Sequence, residues 1–215
     1  MSIKVKICGI TNWEDANFAI NSGADALGFL VDIPPCAEKI DKITAKQIIS
    51  RIPSKRETFL ITTSKDVEHI IALCREVNPA VIQIIPDLKL KDLEEIKQKL
   101  QNKKIAKVIA VVDKSAINQV KKYSKIADIL ILDSRRKGQI GGIGEIHDWN
   151  ISAEIVKECK IPVFLAGGLS PDNVAKAIKE VYPYGIDADT KLNRVLGKKD
   201  PAKVKKFIKI IKSFN

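Results

Sequence analysis

The stretch KICGIT at residues 6–11 ends the first predicted strand, Ile3–Ile7, and places the thiol of Cys8 directly after it. From this strand onward, strand-like and helix-like segments alternate along the whole chain. That alternation is typical of a parallel sheet covered by helices, in which the carboxyl ends of all strands lie on one side. Cys8 therefore lies where such a fold can place its chemistry.

The number of predicted strands decides between a closed and an open sheet. The apolar runs predict eight strands: Ile3–Ile7, Ala26–Val31, Thr58–Thr62, Val81–Ile85, Val108–Val112, Ala127–Leu132, Val163–Ala166 and Gly185–Ala188. Helical periodicity predicts Trp13–Ser22, Ala45–Arg51, Val67–Val77, Asp92–Leu100, a weaker helix near Ser115–Tyr123, Ile151–Cys159, Asp172–Val181 and Ala202–Ile211. Eight β/α units indicate an α/β fold, a closed (β/α)8 TIM barrel. The alternative is an open doubly wound sheet, but no Gly-x-Gly-x-x-Gly motif follows the first strand.

Two of the predicted helices carry explicit start signals. Ser170 stands before Pro171 and Asp200 before Pro201, an N-cap residue followed by a proline in the first turn. Both helices follow strand ends, so their N-termini point toward the face where a barrel keeps its site.

The length and composition predict a single domain that spans residues 1–215. The chain is 45% hydrophobic and 29% charged, which is typical of a globular protein with a large core. No apolar run approaches the roughly 18 residues of a membrane span, and no signal-peptide core follows Met1. We therefore expect a cytoplasmic protein with no membrane partner.

The formal net charge of +11 bears on the class of partner. The densest basic set fits the solvated face of the last helix: Lys203, Lys205, Lys206, Lys209 and Lys212. Aromatic residues make up only 5% of the chain, and no recognition motif accompanies the charge. We expect no nucleic-acid partner, and an anionic small-molecule substrate fits the charge at least as well.

The four cysteines and two histidines indicate neither a disulfide framework nor a metal site. They are scattered, without the spacing of zinc ligands: Cys8, Cys36, Cys74, Cys159, His69 and His147. We therefore predict no metal.

Two strand ends supply candidate catalytic groups. The strand Ala127–Leu132 ends in Asp133, so a thiol and a carboxyl group could meet in one pocket as a base and an acid. Gly167 and Gly168 close the seventh strand and precede a helix, a place where backbone N–H groups can bind a phosphate. The alternative for this glycine pair is a tight turn without a ligand.

Several motifs occur together in a fixed order: KICGIT at 6–11, GADALGF at 23–29, LILDS at 130–134, GGIG at 141–144 followed by Asp148-Trp149, LAGGL at 165–169 and YGID at 184–187. In their order and spacing the chain resembles the phosphoribosylanthranilate isomerase family, the barrel enzymes of tryptophan biosynthesis. The resemblance covers nearly the full length. It implies an Amadori rearrangement of N-(5-phosphoribosyl)anthranilate, with no cofactor.

The resemblance also implies roles for individual residues. Asp133 would protonate the furanose ring oxygen, and Cys8 as thiolate would remove the proton from the second sugar carbon. The phosphate of a phosphorylated small-molecule substrate would be bound by Gly142, Gly167, Gly168, Thr190 and Lys191. A monomer or a homodimer is expected.

Several positions depart from the family pattern. The arginine expected after the second strand is absent, and either Ala37 or Glu38 stands in its place. After the eighth strand, Asp189 and Lys191 replace a serine and a glycine. Two hypotheses follow: an active isomerase of the usual substrate or of a related phosphosugar, or a paralogue that keeps the barrel as a non-catalytic binding protein. Retention of Cys8 and Asp133 favours the enzyme.

Overall fold

Eight parallel strands close into a barrel in the computed structural model of the protein, which describes residues 2–134 and 145–215. Each strand pairs with the next, and the eighth pairs with the first. The strands are β1 (Lys4–Ile7), β2 (Ala26–Asp32), β3 (Glu57–Thr62), β4 (Val81–Ile84), β5 (Lys104–Ala110), β6 (Ile129–Asp133), β7 (Val163–Leu165) and β8 (Gly185–Ala188). The predicted TIM-barrel fold is confirmed, and the open sheet is excluded.

A helix follows each strand and covers the outside of the barrel. The helices are α1 (Trp13–Asn21), α2 (Lys42–Ile49), α3 (Val67–Val77), α4 (Leu90–Lys99), α5 (Ser115–Tyr123), α6 (Trp149–Glu158), α7 (Val174–Val181) and α8 (Pro201–Lys212). Between β8 and α8 the chain forms a 3-10 turn (Thr190–Leu192) and a short antiparallel hairpin, β9 (Asn193–Val195) and β10 (Lys198–Lys199). Among the described residues, no helix is long and apolar enough to cross a membrane.

Alternation along the strands separates two hydrophobic clusters. Outward-facing residues such as Val5, Ile7 and Leu27 pack with the helices in the larger cluster. Inward-facing residues such as Phe59 and Phe164 fill the barrel in the smaller one. Because successive strand residues point to opposite faces, every second position of a strand belongs to the interior.

Polar N-cap residues set where five helices begin. In each case the side chain accepts a hydrogen bond from a backbone N–H of the first turn, a group that the helix itself cannot satisfy. These residues are Asn12, Asp41, Asp66, Asp148 and Asp200. Asp200 accepts from the amides of Ala202 and Lys203, so the predicted start of the last helix is confirmed.

The predicted start of α7 is wrong by two residues, since the helix begins at Val174 and not at Asp172. Asn173 has a non-helical backbone (φ −122°, ψ −14°). Its side chain folds back instead, accepting a hydrogen bond from the Ser170 amide and donating one to the carbonyl of Gly168. Ser170 and Asp172 therefore lie in a turn before the helix.

The fifth strand was predicted at Val108–Val112 but lies at Lys104–Ala110. Two lysines hide its first half in the sequence. The ammonium group of Lys107 is buried and donates to the backbone carbonyl of Ile85 at 3.0 Å, so a strand position can hold a charged residue. The hairpin β9–β10 was not predicted, because four polar or basic residues interrupt its apolar pattern.

Replacing Asp200 by Ala should destabilise the protein by about 1 kcal/mol, because two amides of α8 lose their acceptor. Urea denaturation at pH 7 measures this free energy. The exposed Lys205→Ala variant of the same helix is the control and should change stability by less than about 0.5 kcal/mol. Equal stability of Asp200→Ala and wild type would show that the cap contributes nothing.

Candidate active site

A cavity of about 140 Å³ opens at the carboxyl ends of the barrel strands. Its lining contains both predicted catalytic residues and four of the five predicted phosphate-binding residues: Cys8, Asp133, Gly167, Gly168, Thr190 and Lys191. Gly142, the fifth, lies outside the described residues. Residues that are distant in sequence therefore share one cavity, as the strand-end argument predicts.

Cys8 lines this cavity and is 8% exposed. Its amide donates a hydrogen bond to the Ala188 carbonyl at 2.9 Å, which holds the end of β1 against the end of β8. Gly28 on β2 leaves room for the thiol, since a Cβ at that residue would lie 2.6 Å from Cys8 Sγ. A glycine at position 28 is therefore a requirement of the site.

A buried ion pair lies beneath Cys8 in the barrel interior. Lys6 Nζ donates to Asp187 Oδ2 at 2.7 Å, and the two residues are 0% and 6% exposed. The ammonium also lies 5.0 Å from the centre of the Phe59 ring. Burial opposes the charge of Lys6, but Asp187 and then Cys8 outweigh it and raise the lysine pKa above 10.5. Lys6 is an ammonium at neutral pH.

The surroundings of Cys8 act on its ionisation in opposite directions. Burial raises its pKa to about 12, which makes the thiol the resting form at neutral pH. The charge of Lys6 lowers this pKa, and that of Asp187 raises it. Two smaller contributions come from Asp189, which raises the Cys8 pKa, and from Lys199, which lowers it.

The carboxyl group of Asp133 is held at the end of β6, where its Oδ1 accepts a hydrogen bond from the amide of Ser134 at 2.8 Å. Gly167 approaches this point from the end of β7, with a positive φ of 86°. A Cβ at Gly167 would lie 2.8 Å from the Ser134 nitrogen and closer still to its hydroxyl group. The glycine therefore makes the close approach possible, in addition to the turn.

The Gly167–Gly168 turn offers backbone donors to the cavity. Within residues 2–134 and 145–215, the amides of both glycines are without a hydrogen-bond acceptor in the protein. The carbonyl of Gly168 is held by Asn173 at 2.9 Å, which fixes the orientation of the turn. Both predicted readings of the pair, a tight turn and a set of anion donors, fit this geometry.

Asp189, one of the altered residues after β8, belongs to a connected polar network. Lys199 is 3% exposed, and its ammonium donates to Asp189 Oδ1 and to Asn193 Oδ1, both at 2.7 Å. Asn193 in turn donates to Glu38 Oε1 at 3.0 Å. The negative charge that Asp189 adds beside the cavity is thus compensated by Lys199, and Glu38 is engaged away from the cavity lining.

The hairpin β9–β10 holds the neighbouring loops together. Thr11, after β1, donates to the Gly197 carbonyl at 2.6 Å. The backbone of Ala37, after β2, packs against Gly197, whose Cβ position would lie 2.5 Å from the Ala37 oxygen. Neither Ala37 nor Glu38 is among the described residues that line the cavity.

His147 contacts Ser134, directly after β6, and Ser152 of α6. Its Nδ1 lies 3.1 Å from Ser134 Oγ and its Nε2 lies 2.7 Å from Ser152 Oγ. Burial lowers its pKa to about 4, so the imidazole is neutral at pH 7. A charged ring could not accept a hydrogen bond from either hydroxyl group.

Sequence reasoning missed Lys6, Gln83 and Asp187. All three are buried and face the interior, and the side-chain atoms Gln83 Oε1 and Asp187 Oδ1 have no hydrogen-bond partner in the described structure. The signal that could have found them is parity: Lys6 stands two residues before Cys8, on the same face of β1. Polar residues at inward positions of a barrel usually belong to its site.

The described residues contain no cluster of three or more His, Cys, Asp or Glu side chains that could hold a metal ion. The expectation that the site uses neither metal nor cofactor stays a prediction. It rests on the kind of chemistry that the resemblance implies.

An α/β barrel whose cavity opens at the carboxyl ends of its strands belongs to the class of TIM-barrel enzymes. The family model for N-(5'phosphoribosyl)anthranilate (PRA) isomerase matches residues 5–210. An N-(5'-phosphoribosyl)anthranilate isomerase from Methanosarcina acetivorans is 34% identical over 222 residues, covering 97% of this chain and 93% of the relative. The chain therefore belongs to the N-(5'-phosphoribosyl)anthranilate isomerase family.

Solved structures agree with this assignment. Phosphoribosyl anthranilate isomerase from Thermotoga maritima is similar with a TM-score of 0.87 and 28% identity, covering 98% of this chain and 99% of that one. A phosphoribosyl anthranilate isomerase in complex with reduced 1-(o-carboxyphenylamino)-1-deoxyribulose 5-phosphate gives a TM-score of 0.84 and 27% identity, with the same coverage.

The neutral His147 predicts a loss of stability in acid. Its pKa is about 4 in the folded protein and 6.5 ordinarily, so between these values the unfolded chain binds more protons. Stability should fall by on the order of 2–3 kcal/mol as the pH drops from about 6.5 to about 4. Urea denaturation across this range measures the effect.

The His147→Gln variant should lose most of this pH dependence, while His69→Gln, at an exposed position of α3, should keep it. An identical pH dependence in the wild type and His147→Gln would show that His147 is not the responsible group.

Proposed function

We propose that this protein catalyses the Amadori rearrangement of N-(5'-phosphoribosyl)anthranilate in the cavity at the carboxyl ends of its strands. The observation that carries the proposal is the shared lining: Cys8, Asp133 and the Gly167–Gly168 turn face one cavity. The reaction converts an aminoaldose into its 1-amino-1-deoxyketose isomer. It moves protons within one substrate, and we expect it to need no cofactor.

Asp133 is the proposed general acid. It donates a proton to the furanose ring oxygen, so the ring opens to a Schiff base between the first sugar carbon and the anthranilate nitrogen. Asp133 lines the cavity and is partly exposed, and the Ser134 amide holds its orientation. A carboxyl group that is oriented in this way can deliver its proton to one substrate atom.

Cys8 is the proposed general base. Its thiolate removes the proton from the second sugar carbon of the Schiff base, which gives an enolamine. The enolamine then takes up a proton from water on the first carbon and releases its hydroxyl proton to water as the second carbon becomes a carbonyl. The Cys8 thiol returns its proton to solvent and the Asp133 carboxylate regains one, so the reaction is an isomerisation with no net gain or loss of protons. Only the ionised thiol can accept the proton, and the fraction of Cys8 present as thiolate therefore limits the rate.

The phosphate group of the substrate is proposed to lie against the Gly167–Gly168 turn and the 3-10 turn that begins at Thr190. Both segments line the cavity, and the free amides of the glycines are donors for phosphate oxygens. Lys191 supplies the ammonium group of the described lining. The protein is further proposed to be cytoplasmic and to act as a monomer or a homodimer.

Turnover of freshly generated phosphoribosylanthranilate, followed by the loss of its fluorescence, tests the proposed roles. The wild type should be active, and Cys8→Ser and Asp133→Asn should each lower kcat by at least about 100-fold, the usual contribution of a general acid or base. Cys36→Ser and Asp172→Asn, at exposed positions, are matched controls that should retain activity.

A folded, reduced wild type without turnover would overturn the proposal. It would favour the second candidate, a paralogue with another phosphosugar substrate or with a binding role. The observation that favours this candidate is the missing arginine after β2. The two residues that can stand in its place, Ala37 and Glu38, contact Gly197 and Asn193 of the β9–β10 hairpin region.

Lys191→Ala should raise KM by about tenfold with a smaller change in kcat, because a charge-assisted contact to the phosphate is lost in ground and transition state alike. Inhibition by inorganic phosphate should weaken in parallel. Lys198→Ala, an exposed lysine of β10, is the control. An unchanged KM in Lys191→Ala would remove Lys191 from the phosphate site.

A further inference from the structure

The interior of the barrel contains a buried charged pair. Lys6 and Asp187 occupy inward positions of β1 and β8, where barrels usually hold branched apolar side chains. Burying two charges costs several kcal/mol for each ion, and apolar residues of similar volume often give equal or greater stability. Since stability does not explain an ion pair at this position, we look for its role in the function of the site.

The geometry connects this pair to the thiol. The point where a Cβ at Gly28 would lie is 2.6 Å from Cys8 Sγ and 3.2 Å from Lys6 Nζ, so the ammonium and the thiol are neighbours around the same missing side chain. Asp187 approaches the ammonium from the β8 side at 2.7 Å. The ammonium is thus bound by a carboxylate on one side and lies near sulfur on the other.

The exclusion of water from the interior strengthens the effect of the Lys6 ammonium on Cys8. A charge acts more strongly on a nearby group when solvent does not screen it, and Lys6 is 0% exposed. The other charged groups that act on Cys8 lie farther along the chain after β8, where Asp189 and Lys199 neutralise each other at 2.7 Å. Asp133 and Lys191 also line the cavity; Asp133 is partly exposed and Lys191 is exposed.

We propose that Lys6 is a positioning residue of the reaction: it is the fixed counter-charge that stabilises the thiolate of Cys8, and Asp187 holds its ammonium in place and moderates its effect. This inference rests on the proposed function of Cys8. When the thiolate forms, the thiol proton leaves to bulk water and Lys6 remains an ammonium. The pair therefore sets how much active base the enzyme holds.

Because Lys6 and Asp187 carry opposite charges, removing each charge should change the thiolate fraction of Cys8 in opposite directions. Loss of the ammonium in Lys6→Met should leave less thiolate, whereas loss of the carboxylate in Asp187→Asn should leave more. Damage to packing would instead affect the two variants in the same direction. The rate of alkylation of Cys8 by iodoacetamide, measured at pH 7–10 by mass spectrometry of the Cys8 peptide, reports the thiolate fraction without any substrate.

At pH 8, Lys6→Met should slow alkylation of Cys8 by at least about tenfold, which corresponds to one pKa unit. Asp187→Asn should accelerate it several-fold, and Lys6→Arg should stay near the wild type because it keeps the charge. Ile129→Val, an uncharged change in the same interior cluster, is the matched control and should alter the rate by less than about twofold.

If Lys6→Met fails to fold because Asp187 loses its partner, the double variant Lys6→Met with Asp187→Asn replaces it. This double variant should be slower than Asp187→Asn alone, since only Lys6 differs between the two. Equal rates in that comparison, or shifts of the same sign in both single variants, would overturn the inference.

The alkylation result is independent of turnover. Opposite shifts in an inactive wild type would support the Lys6 inference and reject the proposed activity. An active wild type whose two variants do not shift in opposite directions would support the proposed activity and reject the Lys6 inference.

Discussion

The ion pair between Lys6 and Asp187 is the interaction on which the site depends. These residues are register partners across β1 and β8, the two strands whose pairing closes the barrel. The pair therefore places a fixed charge at the seam of the fold, directly beneath Cys8. It also explains why residue 28 is a glycine, because a side chain there would occupy the space next to both the ammonium and the thiol.

The two acidic residues that depart from the family pattern are compensated within the structure. Asp189 meets the buried ammonium of Lys199, and Glu38 accepts a hydrogen bond from Asn193. Both partners belong to the hairpin region between β8 and α8. The described cavity lining keeps its glycine turn and Lys191. Altered loops are therefore compatible with a working site.

The alternation of apolar runs was enough to predict the barrel, since β8 lies at the predicted residues and most strands begin or end within one or two residues of the prediction. The errors in the predicted bounds of β5 and α7 come from polar and charged residues. Lys107 concealed half of β5, and the folded-back side chain of Asn173 delayed α7. The residues Cys8 and Asp133 could be selected because they end strands. Lys6 shares the face of Cys8 by parity, but its pairing with Asp187 could not be predicted, because that contact depends on the register of β1 against β8.

Co-crystallisation with reduced 1-(o-carboxyphenylamino)-1-deoxyribulose 5-phosphate would show whether the proposed groups face the substrate. We expect the phosphate to lie against the amides of Gly167 and Gly168. We also expect the second sugar carbon to contact Cys8 Sγ, with the Lys6–Asp187 pair intact beneath the thiol. An analogue bound with its sugar away from Cys8, or outside the cavity, would rule out these roles.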